Sequence, residues 1–373
     1  MRKILQICNG YFGSSLYKNF FEELRKHNID NTVYVFTANS IIHSNLETDV
    51  IEESCYKNYE RIFYHIKQKK IFNRFFKRFK TQNIDLIHAH TVFSNGDIAY
   101  RMKMKTGIPY IVAVRNTDIN LFFKYVFFLR KHGIKILKEA EKIIFLSPKY
   151  EEEFFLRYVK KEEKENLKKK VIILPNGIDN FWIKNQRIYN QNLRKKIRII
   201  QVGNIDKNKN IVTTIKVCKK LIRKGYDIEL KVIGRLYLSS KVLEENFIKY
   251  IPFCRKDELL EYYRNSDIFL LPSKYETFGL VYVEALSQGL PIIYTRGQGF
   301  DGQILDGKVG YSVTYNNVNE IVEKIEKILE NYEYYSTNTK QYLEKFNWEK
   351  ISEEYIKIYN EIGVKKNDNK IIK

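Results

Sequence analysis

Short runs rich in β-branched and aromatic residues recur along this chain, each followed by a longer amphipathic stretch, and the rhythm starts twice. In the first half the runs are 4–7, 32–36, 84–88, 110–114, 142–145 and 171–174; after a polar interruption they resume at 197–202, 228–233, 267–271 and 291–294. Strand runs alternating with helical stretches pair in parallel through crossover helices, so the fold class is α/β. At 373 residues the chain exceeds what one core supports, ~150–200 residues per domain. Two Rossmann-like, doubly wound sheets are therefore expected, with their carboxyl ends facing a shared cleft where such sheets bind ligands.

The polar interruption, residues 181–196, is rich in Asn, Gln, Lys and Arg and reads as the linker. It divides an N-terminal domain, 1–185, from a second domain, 186–345. Residues 348–362 carry apolar side chains at Ile351, Tyr355, Ile358 and Ile362, a spacing of three or four that predicts an amphipathic helix. That helix is assigned to 346–363 and crosses back towards the first domain, leaving a tail at 364–373.

Four scattered cysteines, Cys8, Cys55, Cys218 and Cys254, lack the close pairing of a zinc site or a disulfide framework, which points to a reducing compartment. Met1-Arg2-Lys3 runs directly into a strand pattern, not into a signal-peptide core, and no run reaches the ~18 apolar residues of a membrane span. A cytoplasmic protein is expected. Its 65 Lys and Arg against 44 Asp and Glu leave a net charge of +21, which must attract polyanions: nucleic acid, anionic lipid or phosphorylated substrates.

The segment from Ser266 to Ile293 holds the most information. It reads as a strand, a loop with Glu276, a helix opened by Gly279 and closed by Gly289, and a second strand at Pro291. Thr277, Phe278, Gly279 and Leu280 bring backbone N–H groups to the helix start, a ready site for a diphosphate. Glu284 lies two turns on among Leu280, Val281, Val283, Ala285 and Leu286, where a carboxylate without a partner is expensive; it suits a sugar diol such as ribose.

With Glu276 and Glu284 separated by seven residues in this context, the chain resembles the group 1 glycosyltransferases, a retaining family with the GT-B fold. The similarity extends through the Gly10 and Gly13 loop, His88-Ala-His90, Asn116-Thr-Asp118, Pro175-Asn-Gly-Ile-Asp179, Val202-Gly203 with Lys209, Val232-Ile-Gly234 and Phe346-Asn-Trp348. The resemblance implies that Glu276 contacts donor-sugar hydroxyls, that the backbone of Phe278, Gly279 and Leu280 holds a diphosphate, and that Glu284 binds the nucleotide ribose. It makes Lys209 a diphosphate clamp beside Gly203, with Asn204 standing where the family has Arg and Arg235, after Gly234, as the nearest substitute cation. Arg115 replaces the family's His, so imidazole roles do not transfer, although a guanidinium can still stabilise charge on a leaving phosphate. Catalytic roles thus fall to Glu276, Arg115 and Lys209, and the nucleobase to Phe253, Cys254 and Arg255. Gly10, Gly13, Ser14, His90, Asn116 and Asp118 line the acceptor side.

The donor implied is a nucleoside diphosphate sugar, uridine-linked by default, and the acceptor a glycan or a lipid-linked sugar. No metal or other cofactor is expected: His88 and His90 share a strand face but have no Cys, Asp or Glu cluster beside them. A catalytically silent partner subunit is the alternative that Asn204 and Arg115 suggest. Nucleic-acid binding is favoured by charge alone, without a recognition motif. Two basic aromatic stretches, 56–80 with Phe72, Phe75, Phe76 and Phe79, and 121–138 with Phe122, Phe123, Tyr125 and Arg130, read as amphipathic helices. Their aromatics face either the core or an anionic membrane surface, the latter making the protein peripheral on the inner membrane face.

Overall fold

The structure is a computed structural model that describes residues 2–13, 15–27, 29–38, 43, 47–187 and 195–368. The chain divides into two compact units. Unit 1 comprises 1–146, 151–174 and 348–373; unit 2 comprises 147–150 and 175–347.

Unit 1 is a parallel sheet of seven strands, β1 (Lys3–Ile7), β2 (Asp30–Ala38), β3 (Val50–Tyr56), β4 (Leu86–Ala89), β5 (Tyr110–Val114), β6 (Lys142–Phe145) and β7 (Val171–Ile173). Their spatial order is β3-β2-β1-β4-β5-β6-β7. Unit 2 repeats the design with β8 (Lys196–Val202), β9 (Asp227–Ile233), β10 (Ile248–Ile251), β11 (Ile268–Leu270), β12 (Ile292–Thr295) and β13 (Gly310–Val313), ordered β10-β9-β8-β11-β12-β13 and again parallel. Both are doubly wound α/β sheets, and together they form a GT-B fold. Winding reverses between β1 and β4 in one unit and between β8 and β11 in the other, which is where open sheets leave a ligand crevice. Arg198 pins the second of these strand pairs: its guanidinium meets Asp267 at 2.6 Å and its backbone N–H donates to the same carboxylate at 2.8 Å.

The helices are α1 (Ser15–Lys26), α2 (Tyr64–Phe79), α3 (Asp97–Thr106), α4 (Arg130–Glu139), α5 (Pro148–Tyr158), α6 (Lys161–Lys168), α7 (Asn180–Lys184), α8 (Ile211–Arg223), α9 (Lys256–Arg264), α10 (Leu280–Ser287), α11 (Val318–Glu330), α12 (Tyr332–Asn338) and α13 (Trp348–Asp368). One face of the first sheet is covered by α1 and α13, where Phe20 packs against Trp348 at 5.3 Å and Tyr355 at 4.9 Å between ring centroids. On the other face Tyr34 meets Phe75 and Phe79 of α2 at 5.2 and 5.6 Å. A second core lies in unit 2 between β8, β9 and β11 and the apolar faces of α8 and α11. No helix among the described residues is long and apolar enough to cross a membrane.

Several details differ from the sequence reading. Residues 181–196 do not begin as linker: α7 opens at Asn180, and its Trp182 is buried against Tyr263 at 5.5 Å, so the break between the units falls at 174/175. The terminal helix runs to Asp368, beyond the 363 expected. Three strands, β3, β10 and β13, were not anticipated, and all three are sheet edges. The basic stretches are shorter helices than expected. Within 56–80 only 64–79 is α2, with Phe72, Phe75 and Phe79 buried; 121–138 is broken by irregular turns before α4.

Candidate active site

In unit 2 the crevice between β8 and β11 is bounded by two loops, each built by the strand before it. After β8 the chain passes Gly203 and Asn204 and turns at Asp206, whose carboxylate accepts the N–H groups of Asn208 at 2.9 Å and Lys209 at 2.8 Å. Such an Asx-type turn fixes the backbone locally and with it the direction of Lys209. The Lys209 stem lies over Gly203, and its Nζ stands 2.5 Å from Oε2 of Glu276. Gly234, at the end of β9, has φ 143°, and a Cβ there would stand 2.1 Å from the Gly203 carbonyl oxygen. Only glycine lets these two strand ends touch.

The loop after β11 is joined to the first by one side chain. Asn208 donates from Nδ2 to the Tyr275 carbonyl at 2.9 Å and accepts the Tyr275 N–H at 3.0 Å, while the Lys274 N–H reaches the Asn208 carbonyl at 2.8 Å. Glu276 is held on every side and is buried. Its N–H donates to Gln298 at 3.0 Å, and its carbonyl accepts from the Gly299 N–H at 3.0 Å and from the Tyr150 hydroxyl. Its Oε1 accepts the Thr277 N–H at 3.2 Å. Gly279, at φ 78°, caps α10, and a Cβ on it would stand 2.4 Å from the Tyr282 ring. The Phe278 ring turns inward towards Phe300 and Phe346, so Phe278 offers only its backbone outward. The first turn of α10 has N–H groups without intrahelical partners, beside one ammonium and one carboxylate. That is the donor set for an anionic, polyhydroxylated ligand.

Glu284 on α10 is half-buried and takes a hydrogen bond from the Tyr263 hydroxyl at 3.3 Å. Desolvation pushes its carboxyl up to about 7 against the opposing effects of that bond and of Lys256. Tyr263 also senses Cys254 electrostatically, which brings Glu284 and the 253–255 turn into one neighbourhood. Phe253 is 82% exposed, Cys254 is half-buried, and Arg255 opens α9 with its guanidinium 3.2 Å from Asp257. Asn204 and Arg235 are exposed. The Arg235 carbonyl accepts the Ile205 N–H at 2.8 Å, which puts its backbone beside the Gly203 loop.

In unit 1 the equivalent strand ends carry different chemistry. The His88 and His90 rings stand 4.0 Å apart; His88 Nδ1 is 2.8 Å from the Tyr359 hydroxyl and His90 Nε2 is 2.9 Å from Gln6. Burial, reinforced by Arg115, holds both imidazoles well below their ordinary range, so both are neutral. Asp118 is buried and accepts three backbone N–H groups, from Arg115 (2.9 Å), Val92 (3.1 Å) and Phe93 (3.2 Å). Burial nonetheless raises it to about 6. The loops after β4 and β5 are thereby tied together, and the Arg115 guanidinium donates to the His90 carbonyl at 3.2 Å and lies over Tyr17. Asn116 accepts from Asn120 at 3.0 Å. Gly10 and Gly13 flank a short turn after β1. Ser14 lies outside the described residues.

Residues 183–345 match the family model described as Glycosyl transferases group 1, and residues 15–180 match that of Glycosyltransferase Family 4. The chain belongs to the group 1 glycosyltransferases. This glycosyltransferase is 28% identical over 361 residues to an uncharacterized glycosyltransferase of Methanocaldococcus jannaschii, covering 92% of this chain and 93% of that one. In fold it is similar to the sucrose-phosphate synthase of Thermosynechococcus elongatus, with TM-score 0.75, 17% identity and coverage of 97% and 99% of the two chains. It is also similar to Anabaena HepE in complex with UDP, with TM-score 0.72, 14% identity and coverage of 97% and 100%.

Within unit 2 the glycosyltransferase brings Gly203, Lys209, Glu276 and the start of α10 together, and groups Glu284 with Cys254 through Tyr263. In unit 1 it gathers His90, Arg115 and Asp118. Sequence reading missed the residues that hold these groups in place: Asp206, Asn208, Gln298 and Tyr150. The Asp-x-Asn spacing of 206–208 was the available signal, because it favours an Asx turn; Gln298 and Tyr150 carry none, since they arrive from distant parts of the chain.

Proposed function

We propose that this glycosyltransferase moves a sugar, with retention of anomeric configuration and without a catalytic metal, from a uridine diphosphate sugar to a glycan or lipid-linked acceptor in surface polysaccharide or glycoconjugate assembly. The observation that carries the reading is the Lys209–Glu276 pair at 2.5 Å beside the start of α10. A diphosphate set on that helix start takes the Lys209 ammonium as its counter-ion. Glu276, relieved of that cation, accepts hydrogen bonds from donor-sugar hydroxyls, and ionised Glu284 accepts them from the ribose.

In a retaining transfer the acceptor hydroxyl approaches the face from which the diphosphate departs. The new C–O bond forms as the old one breaks, the bonding pair leaves with the diphosphate, and the acceptor proton follows it. Positioning and stabilisation of that leaving charge carry the rate, with no carboxylate nucleophile of the paired-glycosidase kind. Lys209 and the α10 N–H groups supply that stabilisation in unit 2. Uridine as the base is supported by the UDP bound to the structurally similar Anabaena protein.

A thermal-shift screen against UDP, GDP, ADP, CMP and their sugar conjugates tests this, repeated with Lys209→Ala and Glu284→Ala. UDP is expected to raise the melting temperature of the parent, by the equivalent of ~2.7 kcal/mol at 100 times its Kd, and to have no effect on either variant. No shift with any nucleotide in a folded sample would sink the reading. Binding without turnover of any UDP-sugar would identify a silent partner subunit, the role that Asn204 and Arg115 favour.

A further inference from the structure

Unit 1 carries a face that the transfer reaction leaves unused. Two segments meet there through Tyr64, whose ring is 6.3 Å from Phe122 and 6.3 Å from His132. The first, at the start of α2, leaves Ile62, Phe63 and Ile66 exposed, Ile62 at 80%; the second, between β5 and α4, exposes Tyr125, Phe127 and Phe128, the last two at 70% and 66%. Single exposed apolar residues need no explanation, but large ones gathered from two segments mark a contact surface.

What adjoins them decides the partner. Directly after Phe128 the chain enters α4, where Arg130, Lys131, Lys135 and Lys138 join Lys160 around a cavity of ≈ 470 Å³ with one carboxylate, Glu163. Glu163 is already engaged by Lys138 at 2.5 Å. Five cations against one acid would repel a second copy of this face. A nucleic acid would use the charge and could stack on the rings, but it has no use for Ile62 and Ile66. A bilayer uses both: aromatic and branched aliphatic groups enter the acyl boundary while Lys and Arg meet anionic headgroups.

We propose that this face docks on an anionic phospholipid surface, with Phe127, Phe128 and Ile62 as the inserted edge and the α4 cavity holding a lipid phosphate. The inference goes beyond the transfer reaction and stands without it. Flotation of the full chain with vesicles tests it, comparing phosphatidylcholine alone with a phosphatidylcholine–phosphatidylglycerol mixture. Binding is expected only to the mixture and is expected to weaken with salt. Lys131→Glu with Lys160→Glu lowers it by roughly a hundredfold, and Phe127→Ser with Phe128→Ser by about tenfold or more. All four positions are exposed, and thermal unfolding without lipid confirms that the variants fold as the parent does. Failure to float with either vesicle overturns the proposal. So does binding to duplex DNA that is tighter than to the mixed vesicles and indifferent to the phenylalanine pair, which would make the face a nucleic-acid surface.

Discussion

The two sheets end in loops of the same topology and opposite electrostatic character. At the β8/β11 crevice of unit 2 the candidate groups are charged and paired with each other, Lys209 on Glu276 at 2.5 Å. At the β1/β4 crevice of unit 1 the histidines are neutral, and the buried carboxylate of Asp118 is engaged by backbone N–H groups. A self-paired cation and anion can be exchanged for a ligand's phosphate and hydroxyls. A carboxylate satisfied by three backbone donors cannot leave without stranding them, so it acts as scaffold. The first end is equipped to bind an anion, the second to hold a shape.

The strongest challenge to this contrast is Lys209→Met, which keeps most of the stem packed over Gly203 and removes the charge. It is expected to lower kcat/KM for the nucleotide sugar by about 10²–10³-fold with little loss of melting temperature; an equal loss from removing a charge in unit 1 other than Arg115 would erase the distinction. Next comes a glycine pair. Gly234→Ala drives a Cβ to 2.1 Å from the Gly203 carbonyl at φ 143° and should cost about 2–3 kcal/mol in denaturant unfolding. Gly13→Ala, with nothing within 4 Å, should stay within about 0.5 kcal/mol of the parent. Asp118→Asn places an amide NH₂ against backbone donors and is expected to cost about 2 kcal/mol, measured by the same unfolding curve, with KM for the donor unchanged.

The smallest effect is a pH dependence. Glu284 is raised from 4.5 to about 7 in the folded protein, so its stabilising contribution is complete below about pH 4.5 and is lost as pH rises through 7. In the proposed function the ionised form of Glu284 accepts the ribose hydroxyls, so affinity for UDP should move the other way, increasing with pH up to about 7 by at most tenfold per unit. Calorimetric titration across that range checks it, and Glu284→Gln should flatten both trends.

How much of this was legible in sequence follows the same physical lines. The central strands of both sheets read correctly because they are buried on both faces and show continuous apolar runs. The edges β3, β10 and β13 did not, since Val50–Tyr56 mixes two glutamates into its run, Ile248–Ile251 a lysine, and Gly310–Val313 a glycine and a serine. α7 was read as linker because Asn180, Lys184 and their polar neighbours outweighed one buried Trp182. Glu276, Glu284 and Lys209 could be singled out as candidates because they lie in a strongly patterned strand-loop-helix segment or in a loop that resembles the family. The exposed aromatics at 62–66 and 125–128 were not separated from core ones, because irregular turns impose no period that would say which ring faces inward.

The last helix has a consequence for how the protein is made. Trp348, Ile351, Tyr355, Ile358 and Tyr359 close the same core that Ile4, Cys8 and Phe20 open, so that core draws on residues more than three hundred positions apart. At the ~5–20 residues per second of a translating ribosome, tens of seconds separate the emergence of Phe20 from that of Trp348. The unit whose first strand leaves the ribosome earliest is the last to be completed. Through that interval the face of its sheet that α13 will cover stays open to water and to other nascent chains.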